Sequence, residues 1–527
     1  MALKNSVFLI LFVVLPLFAQ DQSEKCGTFR HVRLLTQAKK LQLQLPAISR
    51  PVLQKSILTK NQKIRIHFDT SGANVPSMVD AFGIRIPNSQ QKFIDTLVVI
   101  LDSVWNAEIT SFGFNQPPAD DNRGGGNEYD FYVMDLSAGL FGETIIEYDL
   151  PTGSVKTNQQ YASFIRMDND YGTGYRTKGI LAVFATTAHE FHHAVQVGGS
   201  GVWEDDQFYF YEMCAEAMEN AVFKDAKDYI FDVQTYFKNI SSLPLFVIRS
   251  QSSFAGYERA IWGMFLMKKF SASIMRDIWE ELKLLRPVPA LTSALNKHST
   301  SIQREYVDFS FWNFYTAHRA DSVRYYSDAK LLPPVSISGS VIASPAVQEI
   351  SVVSKSFVSN YYKVSQSSDS AFFIISNANY DDLVADGQKT LTSKVLYTSS
   401  ASSGFPLVAG SIYAKFSASD PLYWSYIPIG TKSLSTCFPN PFTPSSSSLL
   451  ISLDGIGASS EATLTVLSAI DFDVIYSNTV NYTTFSGIQY AEWKGRDNKG
   501  EIVPSGIYLY ILSKGSNIVK GKFAVIR

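Results

Sequence analysis

Apolar and polar positions alternate at Ile64, Ile66 and Phe68 within "KIRIHFDTSG", which predicts a strand. The period then changes. Residues 89–109, "SQQKFIDTLVVILDSVWNAEI", space their apolar side chains by three and four and predict an amphipathic helix. The stretch "PPADDNRGGGNEYDFYVMDLSAGLFGETIIEYD" reads as a Gly/Asp loop followed by strands, and "YASFIRMDND" as one strand more. After it, "KGILAVFATTAHEFHHAVQV" has no proline and carries glycine only at its edge, with Gly198 and Gly199 as a stop, so it predicts a helix. A second helix is expected in "FYEMCAEAMENAVF", which lacks both proline and glycine. Strands followed by these helices make an α+β domain in which an edge strand can pair with an extended peptide.

Helical character persists to about Ala329, and the pattern then shortens. From "PPVSISGSV" to about residue 430 the chain is Ser-rich with brief alternating runs such as "FFIISN" and "SIYAKF", the pattern of a β-sandwich-like module. The last 95 or so residues place turn signals at Asn498-Lys499-Gly500 and Pro504-Ser505-Gly506 and predict a small all-β domain of about seven strands. The fold class expected is therefore multidomain, an α+β domain followed by all-β sandwich modules. The expected ranges are 1–19, 20–60, 61–333, 334–432 and 433–527. The first begins with Lys4 and an apolar run from Val7 to Phe18, too short to span a bilayer, with Leu17 and Ala19 suited to cleavage before Gln20. It predicts a signal peptide and an exported chain. Residues 20–60, rich in Lys, Gln and Leu, are a pro-segment or an N-terminal arm.

Seven histidines serve the whole chain, and His189, His192 and His193 lie within five residues of one another. His189 and His193 are one helical turn apart with Glu190 between them, so both imidazoles of a helical H-E-x-x-H aim at one point. Two neutral imidazoles so placed suit Zn2+, and Glu190 beside the ion would act as general base on a water. A plain helix with a solvated histidine face is the alternative. A catalytic zinc needs a third protein ligand. A histidine six residues past the motif is missing, since Gln196 and Gly199 stand where the metzincin pattern has Gly and His. Glu212 follows His193 after 18 residues, and Glu216 and Glu219 share its helical stripe. An exposed acidic helix face is the other reading of those three glutamates.

His189-Glu190-x-x-His193, 18 residues and then Glu212 in an E-x-x-A setting resembles gluzincin metallopeptidases of the thermolysin and zinc-aminopeptidase type. The resemblance implies Glu212 as third ligand and Glu216 as the carboxylate that orients a ligating histidine, a role that fits the general need of such histidines for a carboxylate partner. "HFDTSG", "YDFYVMDL", "GLFGETIIEY" and "RMDNDY" look like recurrent blocks of a group of secreted bacterial gluzincin-like metalloproteases, over about 60–290. That group often carries an acidic turn where this chain has "VDAFGIRIPN", so no calcium site is carried over. The terminal stretch, from "CFPNPFTP" to "GKFAVIR", looks like the Ig-like sorting domain of type IX secretion cargo. This implies a partner in the secretion machinery and delivery to the medium or cell surface; a plain structural Ig-like domain is the other reading.

Charge excludes little but does exclude something. A formal net charge of −2, with no basic run, argues against nucleic acid as partner, and no segment after the leader is apolar enough to span a membrane. Three cysteines make no disulfide framework. Cys214 is either a small buried apolar side chain or the partner of Cys26. Tyr257 is the candidate donor to the carbonyl oxygen of a substrate, in competition with His298, Tyr209 and Tyr211. The expected activity is hydrolysis of a peptide or protein by a secreted zinc peptidase. The rival is a non-catalytic surface adhesin or binding protein that keeps the fold.

Overall fold

The computed structural model describes residues 25–527 apart from 44, 46–47, 137–138, 156–157, 202–206, 249–255, 343–347, 366–369, 386–387, 401–408, 417–423, 427–436, 454–461, 470–472, 486–487 and 516. The expected leader at 1–19 lies outside the described residues. The chain is α+β with several sheets, and it divides into two compact units. Unit 1 comprises 1–229 with 250–257; unit 2 comprises 230–249 and 258–527. The helices that follow Tyr257 thus belong to unit 2.

Unit 1 is built on a five-stranded sheet ordered β1 (Lys55–Leu58), β2 (Ile64–Phe68), β3 (Tyr129–Met134), β5 (Asn158–Asp168) and β4 (Gly142–Val155). Strands β2, β3 and β5 run parallel, and the edge strands β1 and β4 run antiparallel to their neighbours. The first strand comes from the segment expected as an arm, so residues 55–58 belong to the sheet itself. Helix α1 (Thr28–Leu41) lies against β4, while α2 (Gln90–Trp105) and α3 (Ile180–Gly199) pack on each other and on the sheet. The apolar spacing of α2 explains its seat: Phe93, Ile94, Leu97, Val98, Leu101 and Val104 are buried along one side. Helix α4 (Phe208–Val222) packs on α3.

Acidic residues in the sequence blocks noted above organise backbone. Asp168 Oδ1 accepts from the N–H groups of Asp170 and Tyr171 at 3.0 and 2.7 Å, which shapes the turn that leads into α3. In β2 the alternation breaks at His67, which is buried because it meets Asp130 at 2.7 Å and stacks on Tyr132.

In unit 2, α5 (Tyr229–Lys238, whose first residue counts with unit 1) precedes α6 (Ala260–Phe270), α7 (Ser273–Leu282), α8 (Pro287–Lys297) and α9 (Ile302–Phe314). Helix thus stops at Phe314, short of the expected Ala329; a 3-10 turn at Ala317–Arg319 and further turns follow. Between Gly339 and Tyr426 the strands form a three-stranded and a four-stranded sheet. Beyond Cys437 two four-stranded antiparallel sheets share one core of Phe442, Ile451, Val466, Trp493, Tyr510 and Phe523. Eight strands are described there, where the sequence suggested about seven.

Candidate metal centre

Helices α3 and α4 carry the centre. His189, Glu190 and His193 lie on α3 and Glu212, Glu216 and Glu219 on α4, all at most 1% exposed. The solvated histidine face and the exposed acidic face are therefore not what the chain forms. Two glycines let neighbouring backbone pack closely on these helices, Gly256 on α4 and Gly142 on α3. A Cβ on Gly256 would stand 2.4 Å from both Glu212 Cβ and the Tyr209 carbonyl oxygen. A Cβ on Gly142 would meet Thr186 Cγ2 at 2.7 Å and Glu190 Cγ at 3.0 Å.

Three donor atoms converge. His189 Nε2 lies 3.0 Å from Glu212 Oε2, His193 Nε2 lies 3.4 Å from the same oxygen, and the two Nε2 atoms are 3.2 Å apart. Atoms ~2.0–2.1 Å from a common tetrahedral centre would stand ~3.3–3.4 Å from one another, so these separations fit a zinc-sized ion. The far sides of the rings fix the tautomers. His189 Nδ1 donates to Glu219 Oε1 at 2.9 Å, and His193 Nδ1 donates to Gln196 Oε1 at 2.7 Å. Gln196 Nε2 in turn donates to the Tyr211 carbonyl at 3.1 Å, which sets the amide's orientation. Both Nε2 lone pairs then face a carboxylate oxygen, and Glu212 Oε1 has no hydrogen-bond partner. Such a set calls for a cation. Burial raises the Glu212 carboxyl, and positive charge at the two rings brings it down to about 2, so the ionised carboxylate calls for positive charge beside it.

Cys26 joins the set. Its Sγ, with one atom each from His189, His193 and Glu212, forms a group whose members all lie within 4.8 Å of one another. No disulfide joins Cys26 to Cys214; Cys214 is the buried small side chain. Nothing in the spacing along the chain pointed to Cys26, which is remote in sequence and reaches the site only through the fold.

The orienting carboxylate is placed differently from expectation. Glu219, not Glu216, makes the short contact with His189; Glu216 Oε2 is 3.5 Å from Nδ1. Both glutamates also accept from Lys25, at 2.8 and 2.6 Å, and Lys25 reaches Asp228 at 2.8 Å. Burial pulls the Lys25 ammonium down, and the carboxylates of Asp228, Glu216 and Glu219 overcome it and hold it well above its ordinary value. His192 takes no part in the cluster. It pairs with Glu108 at 2.9 Å, and burial pushes the carboxyl up and the imidazole down, which makes the pair neutral.

Glu190 Oε2 accepts from Thr144 Oγ1 at 2.9 Å and from Thr28 Oγ1 at 3.0 Å. Tyr257 is buried with its ring 5.9 Å from that of His189, and burial with nearby Glu212 keeps its phenol protonated. Of its competitors, Tyr211 donates its hydroxyl to the Gly201 carbonyl and Tyr209 is buried on α4. His298, in unit 2, pairs with Asp277 at 2.8 Å.

The fold and site together define an α+β protein with a buried histidine–glutamate–cysteine cluster that can hold a metal ion. No family model matches the chain, and no curated protein matches it. Among solved structures it is similar to PorZ, a bacterial surface component of the type-IX secretion system of Porphyromonas gingivalis. The similarity has 11% identity and a TM-score of 0.14, over 32% of this chain and 37% of that one. So slight a likeness carries no argument. Among the described residues no helix is long and apolar enough to cross a membrane.

Proposed function

We propose that the chain is a secreted zinc peptidase of gluzincin-like type. The observation that carries the reading is the convergence of His189 Nε2, His193 Nε2 and Glu212 Oε2, with the far ring nitrogens held by Glu219 and Gln196. When bound, the metal supplies Lewis acidity that polarises a carbonyl and acidifies water. The chain's own groups do the rest. An extended peptide adds to the edge of β4 in place of residues 25–28 and is held by backbone hydrogen bonds. Glu190 takes the proton of the attacking water as oxygen bonds to the scissile carbon. It then passes that proton to the amine nitrogen as the C–N bond breaks. Thr144 holds the carboxylate of Glu190 in place. The Tyr257 hydroxyl supplies a hydrogen bond to the carbonyl oxygen as it gains charge.

The test is metal content with casein hydrolysis. About one zinc per chain is expected, and chelation should abolish cleavage. Metal-free protein after zinc supplementation would overturn the reading. One observation favours the rival, a non-catalytic surface protein: with Cys26 the cluster offers four protein donors, the number that closes a structural zinc site. The terminal β-sandwich, together with the leader expected at 1–19, is proposed to address the chain to the type IX export machinery.

A further inference from the structure

We propose that Cys26 is the fourth ligand of this metal and that residues 25–28 are a built-in plug that keeps the centre latent. This rests on the peptidase reading above, and the donor set already fits a metal without it. The plug lies where a substrate would lie. The Phe141 N–H donates to the Lys25 carbonyl at 2.8 Å and the Gly27 N–H donates to the Gly142 carbonyl at 2.9 Å, so the segment pairs in parallel with the edge of β4. The Thr144 N–H donates to Thr28 Oγ1 at 2.7 Å.

Each residue of the segment meets a different part of the site. Lys25 binds the carboxylates behind His189, namely Glu216, Glu219 and Asp228. Cys26, fully buried, brings Sγ to the two histidines and Glu212. The Thr28 N–H points at that sulfur at 3.4 Å. Thr28 then donates its hydroxyl to Glu190 Oε2, the base itself. A site kept only for stability has no use for a carboxylate beside its four ligands, nor for a hydroxyl that covers it. A peptidase held off until release uses both. On release Cys26 would leave the ligand set as a thiol, its proton taken from solvent, and Glu190 and the β4 edge would be open to water and peptide.

X-ray absorption at the zinc edge of the full zinc-loaded chain tests the ligand without any assay of activity. One sulfur at ~2.3 Å beside three nitrogen or oxygen neighbours is expected. The Cys26→Ser variant should lose the sulfur and keep about one zinc, while Cys214→Ser should keep it. A shell of nitrogen and oxygen only, or no zinc bound, overturns the ligand claim, and the wild-type spectrum decides this even if a variant fails to fold. Casein cleavage is read separately. Cys26→Ser should cleave at least tenfold faster than wild type. Sulfur present in wild type with no cleavage by wild type or by a folded, zinc-loaded variant overturns the plug and favours a closed structural site. Equal, chelator-sensitive cleavage by wild type and variant overturns the plug and leaves the peptidase reading standing.

Discussion

At the scale of single residues, the centre depends on what holds the outer face of each imidazole. Glu219 makes the 2.9 Å contact with His189 Nδ1, and Gln196 the 2.7 Å contact with His193 Nδ1. Removal of such a partner typically costs 10–100-fold in metal affinity. Glu219→Ala and Gln196→Ala should therefore each weaken zinc binding by ~10–100-fold in a competition titration, with Glu216→Ala affecting it less. An equal or larger loss in Glu216→Ala would reverse the assignment. Asp228 offers a second check. Burial would raise its carboxyl, but Lys25 and Arg176 hold it well below the usual range. A carboxylate with a lowered folded pKa stabilises above its unfolded value of ~3.9, and that contribution is lost as pH falls towards the folded value. Melting temperature should drop below about pH 4, less steeply in Asp228→Asn than in wild type. Parallel pH profiles would show that this carboxylate contributes nothing to acid stability.

At the scale of elements, α3 and α4 were legible because the period of their apolar residues and the absence of proline suffice to predict helices. The i, i+4 histidines followed from that helix, and Glu212 was singled out by the resemblance that its spacing carries. Glu219 shares the stripe of Glu212 and Glu216, but which glutamate meets His189 depends on how two helices cross, and that is a matter of packing. His67 illustrates the limit within a strand: alternation marks its neighbours, while a cross-strand Asp130 buries the histidine as well. Cys26 was unreadable for a different reason. A parallel bridge between residues more than 100 apart leaves no periodic trace. Gly256 is the element-scale test of how closely the chain packs on α4 beside Glu212. Alanine there would drive a Cβ into Glu212 Cβ and the Tyr209 carbonyl. Overpacking of this kind costs ~1–3 kcal/mol. Gly256→Ala should lower both the melting temperature and the zinc affinity. A variant that melts and binds zinc like wild type would mean the contact yields at no cost.

At the scale of the whole molecule, the terminal β-sandwich has a core of its own, with Trp493 and Phe523 at its centre. The export role proposed for it requires an intact folded surface, as receptor-read addresses do. Deletion of 433–527 should therefore leave zinc content unchanged and strand the chain in the periplasm. Equal amounts of full-length and truncated protein in the medium would make that domain structural only. The central claim, that a metal held by His189, His193 and Glu212 serves Glu190 in peptide hydrolysis, has its own measurement. It is the comparison of Cys26→Ser with Cys26→Ser/Glu190→Gln, each assayed for zinc content and for casein cleavage. Both should hold about one zinc per chain, and loss of the base should slow cleavage by ~10²–10⁴-fold. Equal cleavage by the two proteins, or no cleavage by a zinc-loaded Cys26→Ser chain, would contradict the account.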